Sequence, residues 1–241
     1  YAQARERVAR FEFNQAVVDV FPDMIKRSVP GYSTVLAMTG MFAARYIQAG
    51  STCYDLGCSL GAATLSIGRA VEGIDCQVIG VDNAPAMITA CQSRIDEAGL
   101  ATPVTLRCKD ISDVPLENAS LVVLNYTLQF IHTDERQALL ASIYEGLLPG
   151  GALVLSEKIV FGDAEKQALM TALHLDFKRA NGYSELEISQ KRTALEDVLV
   201  PDTEEVHLER LKQAGFPSPA MWFQSLNFVS ILAVKPTEQA K

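Results

Sequence analysis

The residues with the clearest capacity for chemistry form a glycine turn, Asp55-x-Gly57-x-x-x-Gly61, which follows a short apolar run. Glycines at such a point let the backbone turn sharply and let a ligand approach closely. The N-terminus of the helix predicted after the turn adds unpaired N–H groups that can bind a polar ligand. A purely structural strand-to-helix turn would use the same residues, so this motif alone leaves both interpretations open.

The spacing of the turn indicates which ligand it suits. Gly57 and Gly61 are too far apart for the dinucleotide pattern G-x-G-x-x-G, and Asp55 precedes the first glycine. A pyrophosphate needs the tighter glycine run, whereas S-adenosylmethionine has no phosphate and carries an ammonium and a carboxylate. The turn, which includes Cys58 and Ser59, therefore favours S-adenosylmethionine over a nicotinamide cofactor.

Polar side chains also follow the next three predicted strands. Asp82 and Asn83 follow the second strand, where a carboxylate can accept hydrogen bonds from both hydroxyls of a ribose. Asp110 and Ile111 follow the third, where the carboxylate can accept from an adenine amino group while Ile111 flanks the ring. Asn125 ends the fourth and lacks the Pro-Pro-aromatic sequence typical of amino-group methyltransferases. Helix capping or an ordinary turn remains the alternative role for Asp82, Asp110 and Asn125.

The elements that must position these residues alternate along the chain. Short apolar runs predict strands at residues 52–55, 77–82, 104–108, 121–124 and 152–155. Helical spacing predicts helices at residues 62–71, 85–98 and 134–147, the last with a capping box from Asp134 to Gln137. Continuous apolar runs suit parallel strands buried on both faces, so the fold class is α/β with a doubly wound sheet. The polar residues should then converge at the carboxyl edge of that sheet.

Two regions lie outside this alternation. Residues 1–48 precede the first strand and end in a helix predicted at 33–48. Residues 160–217 form a helix-rich insertion, in which a helix from Ser184 to Leu199 opens with a capping box. The final strands are predicted near residues 221–228 and 229–234. We expect residues 1–241 to form a single domain with these helical additions.

The composition argues against several classes of function. A formal net charge of −8 disfavours a broad nucleic-acid surface, which would need clustered Lys and Arg. No apolar run reaches the roughly 18 residues that a membrane span needs. The charged residues 1–13 do not read as a signal peptide, and a first residue other than Met indicates that natural residues precede Tyr1.

Cysteine and histidine usage gives no sign of a metal site. The five Cys residues include no C-x-x-C pair, which disfavours a disulfide framework or a zinc site and favours a reducing cytoplasm. The three His residues, at 132, 174 and 207, show no ligand spacing and are predicted to be surface or packing residues. We therefore expect a cytoplasmic protein that needs no metal and contacts neither membrane nor nucleic acid directly.

Five stretches of the chain resemble the carboxy-S-adenosyl-L-methionine synthase family: residues 20–25, 27–32, 54–66, 125–130 and 176–192. The resemblance extends from about residue 13 to residue 234, and its last stretch lies outside the part that binds the cofactor. It implies a Rossmann-like sheet of the class I methyltransferase type, mostly parallel, with an antiparallel C-terminal strand and a helical insertion. It also implies a homodimer.

The resemblance implies an activity other than methyl transfer. The family converts S-adenosylmethionine into carboxy-S-adenosyl-L-methionine, takes the carboxyl group from prephenate and releases phenylpyruvate. A separate enzyme then uses the product to modify the wobble uridine of bacterial tRNA to its 5-oxyacetyl form. An ordinary small-molecule methyltransferase and a non-catalytic protein that binds S-adenosylmethionine are the alternatives that share the motifs of the turn.

The resemblance also assigns roles to individual residues. It places Gly57, Cys58 and Ser59 along the methionine portion of the ligand and Asn125 near the sulfonium, and it keeps the ribose and adenine assignments made above. It adds Tyr32 as a residue that contacts the reacting ligand. It further implies that Arg192 pairs with the new carboxylate and with prephenate, from the same subunit or from its neighbour. From the residues alone, Lys191-Arg192 is either a solvated helix face or a segment in which Arg192 binds a carboxylate through two N–H donors.

Overall fold

The computed structural model of the chain describes residues 15–189 and 198–237, which include a seven-stranded sheet. Its strands are β1 Ser51–Leu56, β2 Cys76–Asp82, β3 Val104–Cys108, β4 Ala119–Asn125, β5 Leu147–Lys158, β6 Ala220–Ser225 and β7 Phe228–Val234. The helices are α1 Gln15–Val18, α2 Phe21–Ser28, α3 Tyr32–Tyr46, α4 Ala62–Ala70, α5 Pro85–Ala98, α6 Arg136–Gly146, α7 Ala164–Ala180 and α8 Glu204–Gln213. Short 3₁₀ turns follow β3 at Ile111–Asp113 and β4 at Leu128–Phe130.

The strand order β3-β2-β1-β4-β5-β7-β6 confirms the predicted doubly wound α/β fold. Strands β1 to β5 pair in parallel, and β7 is antiparallel both to β5 and to β6, so the expected antiparallel C-terminal strand is β7. The order reverses between β1 and β4. Such a reversal opens a crevice at the carboxyl ends of the strands, which is where folds of this kind bind ligands.

The apolar runs form strands because both faces of the sheet are covered. In β4, Val122 and Leu124 belong to one core cluster, whereas Leu121 and Val123 belong to a second cluster on the opposite face. Burying a side chain of this size stabilises the fold by about 1.5–3 kcal/mol. A strand that is covered on both faces gains this at every position, so its sequence is a continuous apolar run and not an alternation of apolar and polar residues.

Several local predictions are wrong or differ from the structure in their boundaries. The predicted capping box at Asp134 is not formed, because α6 begins at Arg136 after Glu135, which makes no side-chain cap, and Asp134 lies beside His132 instead. The final strands separate at residues 226–227, with Leu226 at a φ of 54°, and not at residue 228. Leu199 is not helical.

The second predicted capping box is confirmed. Glu187 Oε2 accepts from the N–H of Ser184 at 2.8 Å, and Ser184 Oγ accepts from the N–H of Glu187 at 3.2 Å. Residues 185–189 are helical as far as they are described.

A buried guanidinium holds the chain together beneath one side of the crevice. Arg136 is fully buried and donates to Asp202 Oδ2 at 2.6 Å, to the Val200 carbonyl at 2.9 Å and to the Ile131 carbonyl at 3.0 Å. It also donates to the Gln129 carbonyl at 3.3 Å. This one side chain therefore joins α6 to the turn after β4 and to the segment before α8.

Helices α2 and α7 meet above the crevice and form its roof. Arg27 donates to the carbonyls of Asn181 at 2.7 Å and Gly182 at 2.6 Å, and its guanidinium lies 4.4 Å from the centre of the Tyr183 ring. His174 Nε2 lies 2.8 Å from the Ser28 carbonyl oxygen. The N-terminal segment and the helical insertion are thus joined directly.

None of the helices in the described ranges is both long enough and apolar enough to cross a membrane.

Candidate active site

A cavity of about 740 Å³ opens at the carboxyl edge of the sheet, a size typical of small-molecule sites. It brings together nearly all of the predicted site residues: Tyr32, Asp55, Gly57, Cys58, Ser59, Asp82, Asn83, Asp110, Ile111 and Asn125. Gly61 does not line it. A Cβ on Gly61 would lie 2.6 Å from Cys91 Sγ, so this glycine is required for packing of the turn against α5. Arg192 lies outside the described residues.

The glycine turn adopts the sharp backbone turn that its sequence predicts. Gly57 has a φ of 80° and Ser59 a φ of 49°, both in the left-handed region. A Cβ on Gly57 would overlap Thr127 Oγ1 and lie 2.6 Å from its Cγ2, so the turn packs directly on the segment after β4. Of the two, only Ser59 is strained, and non-glycine residues held at such a φ cluster at functional sites.

The first three N–H groups of this turn are paired within the protein. Gly57 and Cys58 donate to the Val81 carbonyl at 2.8 and 2.9 Å, and Ser59 donates to Asp82 Oδ2 at 2.9 Å. The turn is therefore tied to the end of β2. The turn therefore contributes to ligand binding mainly through its shape, which lets a ligand approach the backbone closely, and less through hydrogen bonds from these three N–H groups.

Asp55 acts through the turn. Its side chain is almost completely buried, and its Oδ2 accepts from Thr64 Oγ1 at 2.6 Å, in the first turn of α4. Burial raises the pKa of Asp55 to about 6, although the hydrogen bonds from Thr64 oppose the rise. The carboxyl group thus fixes the angle between β1 and α4.

Asp82 both fixes the chain that leads into α5 and is a candidate ligand. Its Oδ1 accepts from the N–H of Ala84 at 2.9 Å, next to Pro85 in the first turn of α5, while Oδ2 holds Ser59. Each carboxylate oxygen has a second lone pair that remains available. Burial raises the pKa of Asp82, and the two N–H donors oppose that rise. The N-cap of α5 is Ala84 and has no side-chain cap, so the capping alternative for Asp82 is wrong. Its two hydrogen bonds are compatible with the ribose interpretation.

Asp110 likewise combines two roles. It caps the 3₁₀ turn after β3, where its Oδ1 accepts from the N–H of Ser112 at 3.0 Å. Ile111 belongs to the core cluster and lines the cavity from the same turn.

Asn125 carries a buried donor that has no partner among the described residues. Its Oδ1 accepts from Ser156 Oγ at 2.7 Å, which leaves Nδ2 unpaired. The neighbouring Tyr126 hydroxyl is also buried without a described partner, and its residue has a φ of 59°. An unpaired buried polar group costs about 1–3 kcal/mol. A polar ligand at this point would remove that cost, so the residues fit the predicted S-adenosylmethionine.

Aromatic rings form one wall of the cavity. The ring centroids of Tyr32 and Tyr126 lie 6.2 Å apart, those of Tyr126 and Phe228 lie 6.0 Å apart, and His174 lies 5.0 Å from Phe228. Burial and the charge of Asp55 raise the pKa of Tyr32, so its hydroxyl remains a neutral donor. Sequence reasoning found Tyr32 but missed this wall, because Phe228 and His174 come from distant elements.

The histidines take the surface or packing roles predicted for them. His174 and His207 are buried, His132 is exposed, and all five Cys residues are free thiols. Burial lowers the pKa of His207 to about 4. Within the described ranges, no group of three or more His, Cys, Asp or Glu side chains could hold a metal ion.

Comparison with known proteins extends well beyond the shared fold. A family model described as "Methyltransferase domain" matches residues 54–151. Carboxy-S-adenosyl-L-methionine synthase from Shewanella sp. (strain ANA-3) is 56% identical over 98% of this chain and 97% of its own length. The protein of the same name from Escherichia fergusonii is 55% identical over 97% of this chain and 95% of its own length.

The chain belongs to the carboxy-S-adenosyl-L-methionine synthase family. Membership makes it a transferase that uses S-adenosylmethionine, and the match covers the insertion as well as the sheet.

Comparison with solved structures identifies the fold of this chain. Magnesium protoporphyrin IX methyltransferase from Synechocystis, solved with bound SAH, aligns with 92% of this chain and 96% of its own at a TM-score of 0.64 and 16% identity. A putative S-adenosyl-L-methionine-dependent methyltransferase from Methanococcus maripaludis aligns with 99% and 100% at a TM-score of 0.61 and 18% identity. At such identities the likeness shows the fold alone, which confirms that this synthase family uses a methyltransferase-type sheet.

Proposed function

We propose that this chain converts S-adenosylmethionine into carboxy-S-adenosyl-L-methionine, with prephenate as the carboxyl donor and phenylpyruvate as the second product. The observation that carries this proposal is the identity of 56% to a carboxy-S-adenosyl-L-methionine synthase over 98% of the chain. The cavity supports it, because acidic and amide groups suited to the ligand follow four neighbouring strands.

The atoms and charges of this reaction balance between the two reactants, so the protein need not supply or take up a proton overall. The sulfonium acidifies its methyl hydrogens, and loss of one proton gives an ylide carbon. Prephenate loses carbon dioxide and its ring hydroxide as its ring becomes aromatic phenylpyruvate. The hydroxide takes the methyl proton and becomes water, and the ylide carbon forms a bond to the carbon dioxide.

The protein then needs to hold two reactants in line and to exclude water. The roof formed by α2 and α7 and the aromatic wall suit both tasks. A protonated Tyr32 can donate a hydrogen bond to the reacting carboxyl group without supplying a proton overall.

Incubation of the purified chain with S-adenosylmethionine and prephenate tests the reaction. We expect mass spectrometry to detect an S-adenosylmethionine derivative that is heavier by one carbon dioxide, together with phenylpyruvate in equal amount. Omission of prephenate is the control. Methyl transfer to a small acceptor, with no such derivative, would support an ordinary methyltransferase. Tight binding of S-adenosylmethionine with no turnover would indicate a non-catalytic protein.

Arg192 is proposed to pair with the carboxylates of donor and product. A guanidinium binds a carboxylate through two parallel N–H donors, whereas an ammonium offers a single point of charge. We expect Arg192→Lys to lower turnover about 10-fold or more, in line with the energy of a charge-assisted hydrogen bond. The neighbouring Lys191→Arg is the matched control. Full turnover in Arg192→Lys would remove this residue from the role.

The proposal also covers the setting of the reaction. It includes a cytoplasmic homodimer whose product is used by a separate enzyme that modifies tRNA. The net charge of −8 supports this division of labour, because a chain that does not bind tRNA needs no basic surface. Light scattering of the purified chain tests the dimer, and a single-chain mass would contradict it.

A further inference from the structure

Three lysines line the cavity; Lys26 is exposed, whereas two others from different elements are half-buried, and no assignment made so far uses them. Lys158 ends β5 and Lys178 lies near the C-terminus of α7; both line the cavity. Neither takes part in any ion pair formed within residues 15–189 and 198–237. Unlike the exposed lysines of this acidic protein, they direct positive charge into a partly enclosed space.

This arrangement carries a cost in the free protein. Both side chains are half-buried, and burial lowers the pKa of each lysine. For Lys178 the pKa falls to about 8, in part because the charge of Lys158 is close to it. An anion placed between the two ammonium groups would remove both the repulsion and the unpaired charge.

The strand order shows which part of the cavity the lysines occupy. Along the edge of the sheet, Asp110 follows β3, Asp82 follows β2, Asn125 ends β4 and Lys158 ends β5. Neighbouring strands lie about 4.8 Å apart. The residues proposed for adenine, ribose and sulfonium thus come in that order, and Lys158 belongs to the next strand beyond the sulfonium.

The register of β5 fixes this placement more closely. Asn125 pairs with Ser156, and Lys158 lies on the same strand face as Ser156, about 6.6 Å further toward the cavity. Lys158 also pairs with Phe228, whose ring contacts His174, and Lys178 lies one helical turn after His174. The two lysines therefore meet at the aromatic wall.

Acidic groups near this part of the cavity do not neutralise the lysines. Glu157 lies on the opposite face of β5, where it accepts from the N–H groups of Leu128 and Gln129 at 2.9 and 3.1 Å. Glu135 lines the cavity beside the exposed His132. A pocket with two ammonium groups and an aromatic wall suits an anion that carries a carboxylate and an unsaturated six-membered ring.

We propose that Lys158 and Lys178 bind the pyruvyl carboxylate of the donor, the one that stays on the ring product. This assignment rests on the proposed function. The donor has a second carboxylate, which leaves as carbon dioxide. Two ammonium groups on that second carboxylate would stabilise the reactant relative to the transition state and slow its loss. If the two lysines hold the carboxylate that is retained, the carboxylate that departs as carbon dioxide can face the sulfonium.

The test uses Lys158→Met and Lys178→Met, with Lys166→Met as the matched control. Lys166 lies on the same helix as Lys178, but it is exposed and outside the cavity. We expect each cavity variant to raise the KM for prephenate and the inhibition constant of phenylpyruvate about 10-fold, the scale of one charge-assisted hydrogen bond. The Kd of S-adenosylmethionine should change less than about 2-fold, and Lys178→Arg should retain most of the phenylpyruvate affinity.

Melting temperatures separate binding from folding. Because Met removes a half-buried unpaired ammonium, we expect the cavity variants to melt no lower than the parent chain. Lys178→Gln provides a second neutral variant if Met disturbs the packing. Prephenate KM and phenylpyruvate inhibition equal to those of Lys166→Met would overturn the assignment while leaving the synthase reaction intact. The chain could also bind phenylpyruvate in a way that depends on the lysines and yet make no carboxylated product. That result would contradict the proposed reaction but support the anion site.

Discussion

Gly57→Ala is expected to weaken the binding of S-adenosylmethionine strongly. The new Cβ would overlap Thr127 at the point where the turn packs on the segment after β4, and it would sit on a backbone with a φ of 80°. The left-handed backbone costs about 1–2 kcal/mol and overpacking costs about 1–3 kcal/mol. Because the turn and the Asn125 segment both form the site, we expect a fall in affinity of at least about 100-fold, which corresponds to about 2.7 kcal/mol. Isothermal titration calorimetry measures it.

Gly73→Ala is the matched control for this variant. Gly73 has nearly the same φ, 83°, but a Cβ there would meet nothing within 4 Å. We expect it to lower the melting temperature through backbone strain alone and to leave affinity unchanged. Adding Thr127→Ala to Gly57→Ala removes the two closest atoms and should restore part of the affinity. Equal affinity in Gly57→Ala and Gly73→Ala would show that the packing against Thr127 does not matter.

Arg136→Met should cause a large loss of stability. The substitution leaves the carbonyls of Ile131 and Val200 without a donor and removes one of the two guanidinium partners of Asp202. Breaking a buried pair by removing one partner typically costs about 3–5 kcal/mol. We expect a decrease of this size in the free energy of unfolding, measured by urea denaturation with the m-value compared between variants.

Arg210→Met serves as the comparison for Arg136→Met. Arg210 also contacts Asp202, at 2.8 Å, but it has no other hydrogen bond through its side chain among the described residues. Its replacement should cost clearly less than that of Arg136. If the two variants lose the same stability, the carbonyl contacts of Arg136 contribute little and the ion pairs with Asp202 account for the effect.

Features set by local sequence could be predicted before the structure. The glycine turn, the carboxylates at strand ends and the start of α5 at Pro85 each depend on residues that are neighbours in the chain. Asp82 illustrates this well, because its hydrogen bond from the N–H of Ala84 and its place at the sheet edge both follow from its position as the last residue of β2. The fold class followed from the same alternation of short apolar runs and helical segments.

Features that depend on distant contacts could not be predicted. Asp134 has the spacing of a helix cap, but α6 starts later, where Arg136 can reach Asp202 and the carbonyls. Lys158 and Lys178 look like ordinary solvated residues in sequence, and only the packing of α7 over the end of β5 places them in one cavity. Gly61 looked like a ligand-binding glycine, yet its constraint comes from Cys91 on α5.

The contact between α2 and α7 has a consequence for the order in which the molecule assembles. Arg27 and the Asn181 carbonyl that it binds are separated by 154 residues, so the roof closes one of the longest loops in the chain. A nascent chain that already contains β1 to β4 has every strand proposed to bind S-adenosylmethionine, but it still lacks α7. Closing so long a loop costs conformational entropy before the contacts of the roof can offset that cost. The roof should therefore form late in folding. During synthesis, the binding edge therefore stays open to solvent until about three-quarters of the chain has emerged, a fraction set by where Asn181 lies in the 241 residues.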